Sequence, residues 1–378
     1  MSPPVIGIVG AGGSVGGAAL DGLHTSPHWT LRAGYRSQSA RKDDAADIDW
    51  RHVNADDAAS LARFCDGCAV VLNAAGPSCR IGDRVARAAD AAGADYVDAF
   101  GGAMLVRQLA ARPLSLERRV IHSAGVYPGL SGVLPRWLAG QGFDRVHALR
   151  GWAGGRERCT PAAAADVLLS TLDGFGQAGV AWIDGRRVTD ALPPRDEVEL
   201  VGFPGRVHVQ PFFSQEMEQL ARELGLRDAH WSNVMPSGRT TETIAHWCGR
   251  LSARTDDSTL KHAISDLVET ARQDVAGQAP YYRLVLEMDG ERAGRPRYVR
   301  AVLNAPDSYR VSGTVAASAV SCLLDTPPAP GIHSADSVLA WEPLLDHLRR
   351  WGAVDSFSLV ELPVNDAAVE AVIEEGTL

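Results

Sequence analysis

The sequence predicts an α/β protein, with an amino-terminal parallel sheet clad in helices and a second α/β domain whose sheet is mainly antiparallel. Three observations predict it. Brief apolar runs alternate with helical stretches through residues 1–124. A glycine-rich segment joins the first run to the first helix. After about Gly125 the alternation stops and longer strand-like runs separated by turn residues take over.

The first run, Val5-Ile6-Gly7-Ile8-Val9, is short, continuous and turn-bounded, as expected of a strand buried on both faces. Residues 14–23 read as a small-residue helix, 31–35 as a second strand and 51–53 as a third. A helix is expected over 57–64, a fourth strand over 69–73 and an alanine-rich helix over 80–92. Asp95-Tyr96-Val97-Asp98 and residues 119–123 supply the fifth and sixth strands. Strands and helices alternating at this spacing imply a parallel, Rossmann-type sheet. Farther on, 146–153, 282–288 and 297–303 read as antiparallel strands, with Asp289-Gly290 as the turn between the last two. Helices are expected over 162–177 and 260–272, and 184–211, rich in Pro, Gly and charge, as an irregular insertion. Glu342-Pro343 opens a helix that runs to Trp351 and is closed by Gly352.

Composition narrows the function. A net charge of −9 speaks against nucleic acid, which needs a basic face. No run of about 18 apolar residues offers a membrane span. The chain enters its first strand without a basic leader, so a cytoplasmic protein is expected. The six cysteines are scattered, as free thiols are, and no metal site is expected. Only Lys42 and Lys261 could serve Schiff-base chemistry, and neither lies in a segment with pocket character.

The segment Gly10-Ala11-Gly12-Gly13-Ser14-Val15-Gly16 lies between a strand and a helix. Glycine lets the chain reverse there and lets a pyrophosphate approach the main chain. Unpaired amides at the helix start, with the positive end of its dipole, then hold the anion. A site for NAD(H) would end the second strand with a carboxylate for the ribose 2′-hydroxyl. Here that strand ends in Arg36 and Ser37, with Arg41 and Lys42 beyond. Arg36 suits a forked pair with a 2′-phosphate, and Ser37 adds a hydroxyl donor, so NADP(H) is the expected cofactor.

Ligands in such sheets lie beyond the carboxyl ends of the strands. Ala75, Gly76 and Pro77, within Asn73-Ala74-Ala75-Gly76-Pro77, should therefore line the nicotinamide end of the cofactor. Asp98, at the same edge, is a candidate acid or orienting group. Tyr127 and Ser131, in Ser123-Ala124-Gly125-Val126-Tyr127-Pro128-Gly129-Leu130-Ser131, are candidates to donate a proton or hydrogen bond to substrate. The plainer readings are a helix cap for Asp98 and core packing for Tyr127. Arg239, in a loop setting at Ser237-Gly238-Arg239-Thr240, is the candidate for a substrate carboxylate.

These segments, with Ala92-Gly93-Ala94-Asp95-Tyr96-Val97-Asp98, resemble the saccharopine dehydrogenase-like family of NADP-binding reductases. The resemblance covers roughly the first third of the chain, and residues 307–352 more loosely. It implies an NADP-binding domain over 1–124, a substrate and dimerisation domain over 125–312, and a helical segment over 313–378 packing back on the first domain. It also implies a homodimer and a small-molecule substrate.

Family members reduce imines formed from amines and oxo acids, so C=N reduction of an amino-acid-derived substrate is the leading expectation. Related proteins reduce carrier-bound or lipid-like C=C bonds, an alternative that Trp152, Trp182, Phe212, Phe213, Trp231 and Trp247 would serve if they lined a channel. A non-catalytic NADP-binding sensor is the third reading. Cys65-Asp66-Gly67-Cys68 has redox spacing but sits where a helix turns into a strand, and is read as structural.

Overall fold

The computed structural model describes residues 3–37, 47–115, 117–169, 172, 174–252 and 254–363. Arg41 and Lys42 lie outside them. The first sheet is built by β1 (Val5–Val9), α1 (Ser14–Leu23), β2 (Thr30–Tyr35), β3 (Asp49–His52), α2 (Ala58–Cys65) and β4 (Val70–Asn73). It continues through α3 (Ser78–Ile81), α4 (Arg84–Ala91), β5 (Asp95–Asp98), α5 (Gly102–Ala111) and β6 (Arg119–His122), and α6 (Leu130–Ala139) leaves it. The second sheet begins with β7 (Arg145–Arg156), α7 (Pro161–Leu169), β8 (Gly176–Ala178), β9 (Ala181–Ile183) and β10 (Arg186–Val188). It adds β11 (Arg195–Glu199), β12 (Arg206–Ser214), α8 (Gln215–Glu223), β13 (Asp228–Pro236), α9 (Arg239–Cys248) and α10 (Asp257–Asp274). The long strands β14 (Tyr281–Arg292) and β15 (Arg295–Ala305) follow. The chain ends through α11 (Ser308–Asp325), β16 (Gly331–Ser334), α12 (Ala335–Val338), α13 (Trp341–Arg350) and β17 (Ser356–Leu362).

The first sheet has seven parallel strands in the order β16-β6-β5-β4-β1-β2-β3. The order reverses between β1 and β4, where an open α/β sheet binds its ligand. Period-two alternation sends Ile8, Leu72, Val97 and Ile121 to one face, under α1 and α11. It sends Val9, Val71, Tyr96 and Val120 to the other, under α2, α4 and α5. The second sheet runs β10-β9-β13-β7-β14-β15-β17, with β12 on β13 and both β11 and β8 on β12. Among these pairings only β13 with β7 is parallel. Helices α6, α8 and α13 cover one of its faces. A separate small core joins α7, α9 and α10 through Ala164, Leu168, Trp247, Leu260 and Leu267.

Four local expectations are corrected. The 80–92 helix is two helices, because Gly82 adopts φ +54° between them. The 162–177 helix ends at Leu169, and Gly176 to Ala178 is strand. Residues 184–211 are not irregular but contain β10, β11 and the start of β12, short enough for turn residues to mask them. The hairpin after β14 turns at Ala293-Gly294, at φ +51° and +71°, the paired left-handed residues of a two-residue hairpin loop. Gly290 is inside β14 at a bulge, where a Cβ would stand 2.1 Å from the Arg145 carbonyl oxygen.

The end of the chain returns twice. Helix α11 lies on α1 along small residues, and a Cβ on Gly313 would stand 2.6 Å from both the Ala18 Cβ and the Val15 carbonyl oxygen. Beyond it, β16 extends the first sheet and β17 the second, so this segment carries strands as well as the expected helices. An ionic cluster fastens the junction of α6, α8 and α12. Arg136 donates to Asp336 and, at 2.6 Å, to Glu223. Glu216 accepts from the Gly129 N–H at 2.7 Å and from the Ser131 hydroxyl.

Two predictions follow from this packing. Gly313→Val should lower unfolding free energy in urea by about 1–3 kcal/mol, since no flexible side chain can yield to it; an unchanged midpoint would show that α11 does not depend on this approach. Burial, with the Asp336 carboxyl nearby, pushes the Glu216 carboxyl up to about 8. The folded protein thus favours protonated Glu216, and the stability this contributes is complete in acid and lost as pH rises toward about 8. Glu216→Gln should flatten the fall in Tm over that window, and an equal slope in both proteins would remove Glu216 as its source.

Candidate dinucleotide site and interdomain cleft

The turn between β1 and α1 is shaped by contact with its own backbone. Gly10 takes φ +85°, and a Cβ there would stand 2.8 Å from the Ala75 nitrogen. A Cβ on Gly16 would stand 2.2 Å from the Gly10 carbonyl oxygen. Only glycine lets α1 press on its turn, and the turn on the loop after β4. The amides of Ala11 and Gly13 are used internally, donating to the oxygens of Gly34 and Gly10. The N-cap Gly13 offers no side-chain cap, and the first turn of α1 carries no acidic residue. Gly13 and Ser14 are exposed, so Ser14 and Val15 begin the helix with amides open to an incoming anion. These residues fit a dinucleotide pyrophosphate. Arg36 and Ser37, just past β2, are both exposed.

The loop after β4 is held from the sheet side by two buried groups. The Asn73 side-chain oxygen accepts from the Ala75 N–H at 3.2 Å, and its amide donates to Asp98 at 3.1 Å. Asp98 is 3% exposed and also accepts from the Tyr96 hydroxyl and, at 2.9 Å, from the Phe100 N–H. Burial raises its pKa, and these three donors oppose the rise. Asp98 thus faces protein, and orders the loops after β4 and β5. Next to it, at the end of β6, stands His122, whose imidazole is pushed down to about 4 by burial.

From the opposite side the α7, α9 and α10 layer reaches this loop. Ser78 donates its N–H at 2.9 Å and its hydroxyl at 3.1 Å to Asp166 of α7. Arg80 pairs with Asp257 of α10 at 2.5 Å. The start of α11 closes the same junction. Glu157 accepts from the Ser308 N–H and hydroxyl at 2.7 and 2.6 Å, and Tyr309 donates to the Arg158 carbonyl at 2.7 Å. Tyr309 packs on the same core cluster as Ala74 and Phe100. Asp166, Glu157 and Tyr309 come from separate elements, which hid their convergence from linear reading.

The other expected substrate residues lie elsewhere. The Tyr127 hydroxyl donates to the Phe212 carbonyl at 3.2 Å and its ring stacks on Trp231 at 5.1 Å, inside the second domain. Burial raises its pKa. Ser131 is fully buried in the cluster with Glu216. Arg239 donates to Gln273 near the end of α10, about 24 Å along that helix from Asp257. The six second-domain aromatics are core residues, none more than 8% exposed. Cys65 and Cys68 are buried, and burial pushes the Cys65 thiol up to about 12, which suits a structural pair. Among the described residues no helix is long and apolar enough to cross a membrane, and no group of His, Cys, Asp and Glu could hold a metal.

Comparison with known proteins agrees with this architecture. Residues 6–121 match the family described as the saccharopine dehydrogenase NADP binding domain. No curated protein matches the chain. Among solved structures, apo saccharopine dehydrogenase (L-Glu forming) from Saccharomyces cerevisiae is similar at a TM-score of 0.66 and 13% identity. The match covers 94% of this chain and all of that one. The DAP dehydrogenase of C. glutamicum in complex with DAP gives 0.49 at 13% identity, covering 93% and 99% of the two chains. Residues 6–121 therefore form a saccharopine dehydrogenase-like NADP-binding domain, within a chain that has the saccharopine dehydrogenase fold.

Proposed function

We propose that this protein is an NADPH-dependent oxidoreductase that reduces a C=N bond in an amino-acid-derived substrate. The observation that carries the reading is the exposed, uncapped start of α1 pressed against the loop after β4, within an NADP-binding domain. The amides at Gly12, Ser14 and Val15 would take the pyrophosphate, with Gly13 giving it room, and Arg36 with Ser37 the 2′-phosphate. Ala75, Gly76 and Pro77 would line the nicotinamide end. NADPH, when bound, supplies a hydride. The protein's part is orientation: Asn73 and Asp98 fix the loop from one side, and the start of α11 closes the cleft. We assign Asp98 to that orienting role and Tyr127 to packing. An iminium is already electrophilic and needs no strongly marked acid. With the six aromatics in the core, the C=C alternative loses the feature that favoured it.

A homodimer built through the second sheet, working in the cytoplasm, belongs to the same reading. Edge strand β17 leaves Leu359 and Val360 exposed. Sedimentation over micromolar concentrations tests the dimer, and a monomer throughout removes it.

The activity is tested by mixing the protein with NADPH and imines formed from amines and oxo acids, and following cofactor absorbance. Tight NADPH binding with no imine turned over would leave a sensor. Arg36→Asp should weaken NADPH much more than NADH; equal losses would take Arg36 out of the phosphate site. Gly13→Val should abolish binding in a folded protein, because a Cβ there meets only the Gly10 oxygen at 3.2 Å and the rest of the side chain enters the anion's space. Undiminished affinity would place the pyrophosphate elsewhere.

A further inference from the structure

We propose that Asp166, on a helix of the second domain, is a positioning residue for the nicotinamide half of the cofactor. The inference deepens the NADPH reading and rests on it. Two observations meet at this carboxylate, and a third lies beside it. One of its oxygens accepts both the N–H and the hydroxyl of Ser78, the residue that directly follows Pro77. Its other oxygen would stand 3.5 Å from a Cβ on Gly76, and the Ala162 Cβ, one turn earlier on α7, at 3.3 Å. The same layer grips the next turn through Arg80 and Asp257.

The loop after β4 is therefore clamped between two layers. Asn73 and Asp98 hold its beginning from the sheet, and Asp166 holds its end from across the cleft. The sheet-side partners belong to the dinucleotide domain itself. Asp166, with the Arg80–Asp257 pair beyond it, makes the loop's shape depend on the position of the second domain. A carboxylate accepting two donors forms hydrogen bonds stronger than neutral pairs. Helix α7 packs mainly on α9 and α10, through Ala164 and Leu168, so its hold on the loop is polar rather than apolar. Strand β2, which leads to Arg36, and strand β4 lie on opposite sides of β1, so an adenosine half held by Arg36 would not reach this clamp.

That division gives the test. NADPH and 2′,5′-ADP share the 2′-phosphate and adenosine, but only NADPH reaches the loop after β4. Affinities of both are measured by calorimetry for the full-length protein, Asp166→Ala and Asp166→Asn. Losing two charge-assisted hydrogen bonds should weaken NADPH by about tenfold or more in Asp166→Ala, with 2′,5′-ADP affinity retained as proof of a folded site. Asp166→Asn, which keeps an acceptor oxygen for Ser78, should recover part of the loss. Equal losses for the two ligands, or no loss for NADPH, would overturn the role of Asp166. If the unaltered protein binds neither ligand, the cofactor reading itself fails, a result distinct from either of these.

Discussion

The close approach of α11 to α1 is the contact on which the rest of the molecule depends. Gly313 brings the two backbones together, and the alanines after it fill the face of the first sheet. The chain enters α11 from the last long strand of the second sheet and leaves it into β16 of the first. It then returns through α13 to place β17 on the second sheet. Each domain is completed by a strand supplied from this segment, so neither can shift without disturbing the α1–α11 packing. Dense packing of small residues tolerates little displacement, which makes such a joint stiff.

Stiffness at that joint has a chemical consequence. The start of α11 lies beside Glu157, Arg158 and Thr160, which lead into α7. Helix α7 in turn carries Asp166 to the loop after β4. A continuous set of backbone approaches and polar contacts thus runs from α1, through α11 and α7, back to the far side of the same dinucleotide cleft. The charged groups at this cleft follow one rule. Those facing protein, Asp98 and Glu157, are surrounded by donors while burial raises their pKa. Ser14, at the start of α1, and Arg36, just past β2, are by contrast exposed.

Much of the first domain was legible because its signals are local. The central strands β1 and β4 are short apolar runs, and the turn after β1 carries the glycines its bend requires. The strand–turn–helix at 5–23 needed no knowledge of the rest of the chain. The second domain was harder to read. A Gly inside β14 mimicked a turn, since a glycine required by a neighbouring backbone looks the same in sequence as one required by its own φ. Strands β10 and β11, of three and five residues, are held by pairing with partners rather than by their own pattern.

The sequence by itself determined the parallel sheet, the glycine turn at 10–16 and the cationic end of β2, because each rests on residues within a few positions of one another. Tertiary structure decided which polar side chains face the cleft. It buried Asp98 and Ser131, packed Tyr127 on Trp231 in the second domain, and set Arg239 of α9 beside Gln273 near the end of α10. It brought Asp166 and Tyr309 to the junction instead. Those placements depend on how two sheets are locked together by one late helix, and contacts between residues 88 or 151 positions apart leave no periodic trace in the chain.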